Sequence, residues 1–256
     1  MTTGQTIDKG IKTFLAVRTD LAPGTLRNYR RTLKFFQAYV AKAKLDDVDK
    51  IKSGLIDTFR TTRAISALTW TKEFEILRQF FRYCVANDWT GKSPAAAVKT
   101  PHNIQPTDKE PYSRNEIIRI LAACDGIGRR PYERLRARAM TLLLRYTALR
   151  ISDVALLAKD RIRDSEIHVR TMKNGKRVML PVHPELQAAL DVLPEPMGIA
   201  GGKYFFWSGN GTVRCMVRNA TRTMATVFKM SIVVGAHAHR FRHTLATENP
   251  GSQGFD

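Results

Sequence analysis

The sequence predicts a mainly α-helical protein with a small antiparallel β-sheet. Apolar residues recur at spacings of three and four over most of the chain, as they do along the buried side of a helix. One stretch, residues 167–180, instead alternates apolar and polar residues around Asn174-Gly175. This dipeptide favours a two-residue β-turn, because both positions accept a positive φ. The alternation and the turn signal together predict a hairpin.

Residues 5–89 are predicted to form four amphipathic helices. Pro23-Gly24 breaks the chain between the first and the second helix. The apolar positions of the four helices are Ile7, Ile11 and Phe14; Leu26, Tyr29, Leu33, Phe36 and Val40; Val48, Ile51, Leu55 and Phe59; and Trp70, Phe74, Leu77, Phe81 and Cys84. The position of Cys84 on an apolar face predicts a buried, reduced thiol.

Basic residues occupy the opposite faces of the second and fourth helices. They are Arg27, Arg31 and Lys34 in the second helix, and Lys72 and Arg82 in the fourth. A charged face opposite an apolar face is typical of any solvent-exposed helix, so these residues alone do not indicate a ligand. A surface that binds DNA phosphates is the alternative.

A proline-rich, polar stretch separates the two halves of the chain. Residues 90–111 contain Pro94, Pro101, Pro106 and Pro111 and show little hydrophobic periodicity, which predicts an extended linker. The predicted organisation is therefore a helical domain at 1–89, a basic linker at 90–111 and a second domain at 112–256.

The second half contains further helix signals. Ser113 and Glu116 form a capping-box pattern, and Pro131 begins another helix. A helix is predicted after Pro184. Residues 203–207 predict a short aromatic strand or a buried segment. A helix at 212–230 has Val213, Val217, Ala220, Met224 and Val227 facing inward, and its row of Arg214, Arg218 and Arg222 is either solvated or binds phosphates.

The charge of the chain indicates a polyanionic partner. The chain has 42 Lys and Arg residues against 23 Asp and Glu residues, a net charge of +19. Proteins this basic commonly bind nucleic acid. The sequence begins with no signal-peptide pattern and has no membrane-length apolar run, which predicts a cytoplasmic protein without a membrane partner. With nucleic acid as the expected partner, the protein is predicted to be nucleoid-associated and to have no small-molecule substrate. The three cysteines fit neither a zinc spacing nor a disulfide framework.

Three motifs carry a resemblance to a known family. They are Thr147-Ala148-Leu149-Arg150-Ile151-Ser152-Asp153-Val154; Met172-Lys173-Asn174-Gly175-Lys176-Arg177 running into Leu180-Pro181-Val182; and His239-Arg240-Phe241-Arg242-His243. In this order, behind a helical first half, they resemble the motifs of the tyrosine recombinases (phage integrase family). The resemblance implies an N-terminal four-helix, SAM-like core-binding domain that clamps DNA. It also implies a catalytic domain of the DNA breaking–rejoining fold, and site-specific DNA recombination or integration by transesterification.

The resemblance assigns the catalytic roles residue by residue. Arg150 and Arg242 correspond to the two guanidiniums that stabilise the charge of the transferring phosphate, and such forked donors suit that task. His239 corresponds to the imidazole beside Arg242; the two residues share one face provided that the helix begins by His239. Lys173 corresponds to the general acid on the hairpin, with Lys176 as the less favoured candidate. The family needs no metal or nucleotide cofactor, and its partners are duplex DNA and other recombinase protomers.

Three further positions near these residues are interpreted as follows. Asp153 corresponds to an acid that orients Arg150, or is an ordinary helix-start acid. His243 is expected to be structural. Ala148 lies where the family usually has glycine, which would shift the backbone near Arg150 slightly. A metal site at His237, His239 and His243 fits on spacing alone, but no Asp, Glu or Cys supports it, so no metal is predicted.

The chain departs from the family at the nucleophile. After Glu248 the sequence has only eight residues, with Pro250 and Gly251 predicted to end the helix, and the last tyrosine is Tyr204. The expectation is a recombinase that lacks its C-terminal segment, binds duplex DNA non-covalently and forms no phosphotyrosyl intermediate. Two alternatives remain open: a DNA-binding protein that occupies recombination sites and competes with intact recombinases, and an enzyme whose tyrosine comes from a partner chain.

Overall fold

The computed structural model describes residues 4–101, 110–172 and 175–248, and the chain divides into two compact units, residues 1–106 and 107–256. The described residues are mainly helical, with one three-stranded antiparallel sheet, as the sequence predicted. No described helix has both the length and the apolar composition that crossing a membrane requires.

The first unit contains the four predicted helices. They are α1 (Ile7–Ala16), α2 (Pro23–Lys42), α3 (Ser53–Thr61) and α4 (Ala67–Ala86). Pro23 does not break the chain but occupies the first turn of α2, where its missing N–H costs no hydrogen bond. Val48 lies in a short 3₁₀ turn ahead of α3, and its side chain is buried although it is outside the helix.

Aromatic side chains dominate the core of this unit. Phe36 packs edge-on against Phe59 and Phe81, with ring centroids 5.3 and 5.8 Å apart, and Trp70 stacks on Phe74 at 5.6 Å. Pairs in such geometries contribute about 0.5–1.5 kcal/mol each beyond their buried area. Cys84 is fully buried, as predicted, and burial raises the pKa of its thiol to about 12.

One ion pair lies at the edge of this core. Arg63 donates from Nη2 to Oε1 of Glu73 at 2.9 Å and from Nε to Oε2 at 3.2 Å. Only 18% of the Arg63 side chain and 5% of the Glu73 side chain are exposed, and the Arg63 guanidinium also stacks over Phe35 at 4.2 Å. Removing one partner would leave the other charge largely desolvated.

The second unit surrounds a separate hydrophobic core, which includes Leu142, Leu143, Ile167 and Phe241. Its elements in chain order are α5 (Arg114–Cys124), α6 (Pro131–Thr147), α7 (Ile151–Ala155), β1 (Ile162–Arg163), β2 (Glu166–Arg170), β3 (Arg177–Pro181), α8 (Pro184–Asp191), α9 (Val213–Met230) and α10 (Ala238–Glu248). The predicted capping box is present, because Ser113 accepts from the Glu116 N–H and Glu116 accepts from the Ser113 N–H.

The hairpin is confirmed, but its turn is longer than predicted. In the β2–β3 ladder Val169 lies opposite Val178, and the Thr171 N–H donates to the Lys176 carbonyl at 2.9 Å. The Gly175 N–H donates to the Thr171 carbonyl at 2.9 Å, which closes a wider turn than the two-residue one. Gly175 has the predicted positive φ, 65°. Asn174 lies outside the described residues.

Two further interpretations need correction. Of the two alternatives for residues 203–207, the strand is wrong and the buried segment is confirmed: Tyr204 makes an isolated bridge with Ala158, Phe206 is buried, and Phe205 and Trp207 pack against the core. The N-terminal end of α9 projects from the core, so Val213 is 40% exposed rather than inward. Ala220, Met224 and Val227 are buried as predicted.

We expect Glu73→Ala to lower the free energy of unfolding by about 3 kcal/mol, because it strands the Arg63 guanidinium in a largely buried position. Glu75→Ala is the matched control. Glu75 lies two residues along the same helix, pairs with Arg78 at 3.7 Å and is 46% exposed. The control should cost no more than about 0.5 kcal/mol. Urea unfolding followed by tryptophan fluorescence makes the comparison, and equal losses would contradict it.

Candidate active site

The site is built around a hydrogen bond between α10 and the turn that joins α6 to α7. The guanidinium of Arg242 donates from Nη1 to the carbonyl oxygen of Ala148 at 2.5 Å. Ala148 precedes Arg150 by two residues. The bond therefore ties Arg242 to the turn that precedes Arg150, although the two arginines are far apart in the chain.

Ala148 adopts a left-handed conformation. It ends α6 with φ 49° and ψ 22°, and its side chain is buried. This conformation costs an L-residue about 1–2 kcal/mol, whereas glycine adopts it without that cost. The backbone thus provides a physical reason for glycine at this position. The alanine here adopts the left-handed conformation itself.

Arg150 lies directly after this turn and is the N-cap residue of α7, with its side chain partly exposed. Asp153, in the first turn of the same helix, is 6% exposed. Its Oδ1 accepts from the Met172 N–H at 2.8 Å, and among the described residues its buried Oδ2 has no hydrogen-bond partner. The contact found for Asp153 is thus with the hairpin. An orienting role toward Arg150 stays a prediction.

His239 and Arg242 both lie on α10, which begins at Ala238, so the condition for their sharing a face is met. The His239 side chain is exposed. Its ring packs edge-on against His243, with centroids 5.1 Å apart and an interplanar angle of 85°. In the described part of the chain no group of three or more His, Cys, Asp or Glu side chains is arranged to hold a metal ion.

The hairpin brings Met172 next to α7. Lys173 lies outside the described residues, so its position remains a sequence prediction. Met172, the residue before it, is held by Asp153 as described above. Lys176 is exposed, and its carbonyl closes the turn with the Thr171 N–H.

Two residues that sequence reasoning did not single out hold the start of α10 in place. Arg240 donates from Nε to the Glu110 carbonyl at 2.8 Å and from Nη2 to Oε2 of Glu116 at 3.1 Å. Its guanidinium also lies 4.3 Å from the centroid of the Tyr112 ring. The Tyr112 hydroxyl donates to the His237 carbonyl at 3.0 Å and accepts from the His237 N–H at 2.7 Å.

These contacts form a largely buried network. Burial raises the pKa of Tyr112 to about 12, so its hydroxyl stays protonated and can donate. The Tyr112 N–H donates to the Thr244 hydroxyl at 2.8 Å, one turn further along α10. The only signal in the sequence was the place of Arg240 between His239 and Arg242, and spacing alone could not identify its partners.

The DNA-binding candidates of the first unit lie on the surface. Arg27, Arg31, Lys34, Lys72 and Arg82 are all exposed, as are Arg214, Arg218 and Arg222 of α9 in the second unit. Exposure fits both a solvated face and a phosphate-binding one.

The fold resembles solved integrase structures. A lambda integrase dimer bound to a COC' core site superposes with a TM-score of 0.76 at 16% identity, covering 98% of this chain and 72% of that one. A XerH recombinase bound to difH gives a TM-score of 0.62 at 15% identity, with 94% and 72% covered. At these identities the likeness establishes the fold.

The chain belongs to the phage integrase family. The model described as "Phage integrase family" matches residues 112–249, and the model described as "Phage integrase, N-terminal SAM-like domain" matches residues 11–88. This is the tyrosine recombinase family of site-specific DNA recombination, and the resemblance stated from the motifs is confirmed.

Curated relatives agree with this assignment. The chain is 26% identical to the tyrosine recombinase XerD of Caulobacter vibrioides over 249 residues, which cover 91% of this chain and 79% of the relative. It is 26% identical to the tyrosine recombinase XerC of Shewanella amazonensis over 250 residues, covering 94% and 81%.

We expect Ala148→Gly to raise the free energy of unfolding by about 0.5–1 kcal/mol. It removes the left-handed strain, and the greater freedom of glycine in the unfolded chain offsets part of the gain. Ala139→Gly, the same change within α6, should instead lower it by about 1 kcal/mol or more. Urea denaturation measures both. A destabilised Ala148→Gly variant would show that the alanine methyl matters more than the backbone strain.

Proposed function

We propose that this chain is a DNA-binding member of the tyrosine recombinase family whose second unit holds one DNA phosphate between Arg150 and Arg242. The observation that carries the proposal is the Arg242–Ala148 hydrogen bond, because it ties α10 to the turn immediately before Arg150. Guanidiniums are permanently charged and offer forked donors that match the non-bridging oxygens of a phosphate.

The remaining groups have complementary roles in this proposal. Lys173 protonates the departing 5′ oxygen, since a lysine on a hairpin can reach into the adjacent groove. His239 accepts or donates a proton at the attacking oxygen. Asp153 supports the reaction indirectly, because its contact with the Met172 N–H fixes the backbone residue that precedes Lys173. His243 packs against His239 and serves a structural role.

Duplex DNA is the proposed partner. The net charge of +19 supports an electrostatic contribution to binding, and the exposed candidates Arg27, Arg31, Lys34, Lys72 and Arg82 would contact the backbone from the first unit. The lambda integrase neighbours are described as bound to a core site and to a Holliday junction, in the latter case as a tetramer. We extend DNA binding, and association with other recombinase protomers, to this chain on that basis. The domain boundaries at residues 89 and 111 stay part of the proposal.

None of the tyrosines in the 256-residue polypeptide follows the His239–Arg242 motif in the sequence. Its last tyrosine is Tyr204, which lies in the stretch between α8 and α9 and packs against Trp207 at 5.1 Å. We propose that this polypeptide alone binds DNA without forming a phosphotyrosyl bond. Its role is then to occupy recombination sites, or to react when a partner chain donates the tyrosine.

A nicked suicide substrate tests the proposal. The polypeptide should retard the DNA on a native gel, because binding needs only the cationic groups, and should give no covalent protein–DNA band on a denaturing gel, because no phenol attacks. Addition of an intact tyrosine recombinase serves as the control for trans donation.

A covalent band from the polypeptide alone would contradict the proposed incompetence. The Tyr204→Phe variant then shows whether Tyr204 is the nucleophile, since only in that case does the band disappear. Absence of any retardation on the native gel would contradict DNA binding itself.

A further inference from the structure

Two arginines occupy directly paired positions at the turn end of the β2–β3 ladder. Arg170 and Arg177 are direct cross-strand partners, and both side chains are exposed. The Cβ atoms of such partners lie about 4.5–5.5 Å apart, so like charges at these positions destabilise the sheet. Paired arginines at this position therefore lower the stability of the hairpin in the free protein.

The other end of the same sheet shows the opposite arrangement. There Arg163 of β1 lies directly across from Glu166 of β2, so that a cation faces an anion. In the described part of the chain, no carboxylate forms an ion pair with Arg170 or Arg177. The repulsive pair is therefore not compensated by the protein residues that the structure describes.

Arg170 is already held in position. Its Nε donates to the Gly175 carbonyl at 2.8 Å, so the guanidinium lies across the hairpin turn. A Cβ at Gly175 would come within 3.5 Å of that Nε, which indicates close packing of the arginine over the glycine. Fixing a guanidinium in advance reduces the entropy lost when it binds an anion.

The pair lines a cleft of about 710 Å³ whose other charged residues do not neutralise it. Arg161 and Lys203 add positive charge to the wall. Of the acidic residues there, Asp160 lies 3.7 Å from Arg161, and Asp153 is buried and accepts from the Met172 N–H. His168 lines the same cleft, and its Nε2 lies 3.3 Å from Glu166.

We propose that Arg170 and Arg177 form a binding site for a backbone phosphate of duplex DNA, separate from the phosphate held by Arg150 and Arg242. A phosphate between the two guanidiniums would replace their repulsion with two charge-assisted contacts. The site rests on the proposed function, since it requires that the chain binds DNA. It adds a contact on the strands that flank the lysine-bearing turn.

Single threonine substitutions test the site, because threonine suits a β-strand and removes the guanidinium; in Arg170→Thr the Nε donation to the Gly175 carbonyl is lost with it. Phosphate contacts carry no sequence information, so a mixed-sequence duplex is a sufficient probe. Arg170→Thr and Arg177→Thr should each weaken binding roughly tenfold and reduce the slope of log affinity against log salt by about one. Arg177→Thr should leave Tm unchanged or raise it by about 1–2 °C, because a like charge at the cross-strand position is lost, whereas in Arg170→Thr the loss of the hydrogen bond to Gly175 offsets that gain.

Arg163→Thr is the matched control, since it removes the same charge from an exposed position in the same sheet. Because it removes the Nε donation to the Asp160 carbonyl at 2.9 Å and the cation opposite Glu166, Tm should fall slightly while affinity changes less than about twofold. Affinity losses as large for Arg163→Thr as for the other two variants would overturn the site in favour of a general charge effect. So would unchanged binding by Arg170→Thr and Arg177→Thr, or a clear drop of Tm in both.

The failure of this site can be told apart from the failure of the proposed function. If the unmodified chain binds the duplex and the Arg170 and Arg177 variants bind equally well, only this phosphate site is wrong. If the unmodified chain binds no duplex DNA, the proposed function fails and the site fails with it.

Discussion

The hydrogen bond from Arg242 to the Ala148 carbonyl is the contact on which the arrangement of this site depends. It joins a helix near the end of the chain to the turn after α6, across 94 residues of sequence. Ala148, whose carbonyl accepts it, adopts a left-handed backbone that costs about 1–2 kcal/mol. The same turn places Arg150 at the start of α7. A strained residue at a site supports a functional reading of that site, because such strain persists only where the surroundings impose it.

The start of α10 is also held by hydrogen bonds. Arg240 and Tyr112 connect it to residues 110–116, and both are largely shielded from water by their partners. The four residues of the motif His239-Arg240-Phe241-Arg242 therefore differ in what they contact. His239 is exposed, Arg240 and Phe241 hold the helix, and Arg242 reaches the turn. These contacts fix the first half of α10 and leave the His239 side chain exposed.

The charged residues at the hairpin are less completely paired than those of α10. Asp153 holds the backbone at Met172, while Arg170 and Arg177 place like charges at paired positions of the two strands. Both features leave the free protein with an imperfection: a buried carboxylate oxygen without a described partner, and an unneutralised cation pair. A polyanion that engages the hairpin would compensate the second of these, so a cost in stability fits a gain in binding.

The sequence predicted the helices well because each is a local property. The spacing of apolar residues by three and four predicted the helices of both units. The capping box was predicted from Ser113 and Glu116 alone. What it could not give were contacts between distant segments, such as Arg240 with Glu116 or Asp153 with Met172. The aromatic residues at 203–207 left both a strand and a buried segment open, because hydrophobicity indicates burial but not whether a neighbouring strand is present to pair with, and the structure has the buried segment. The tight hairpin turn was wrong because the Gly175 N–H bonds back to Thr171 instead.

A double-mutant cycle on Arg150→Gln and Arg242→Gln, read out as affinity for duplex DNA, tests most directly whether the two guanidiniums hold one phosphate. If they do, the first substitution already loosens that phosphate and the second costs less, so the losses should depart from additivity by about 1 kcal/mol or more. Thermal unfolding of each variant checks that the helices remain intact. Losses that add to within about 0.5 kcal/mol would show that the two arginines act on separate phosphates, and would contradict the shared site.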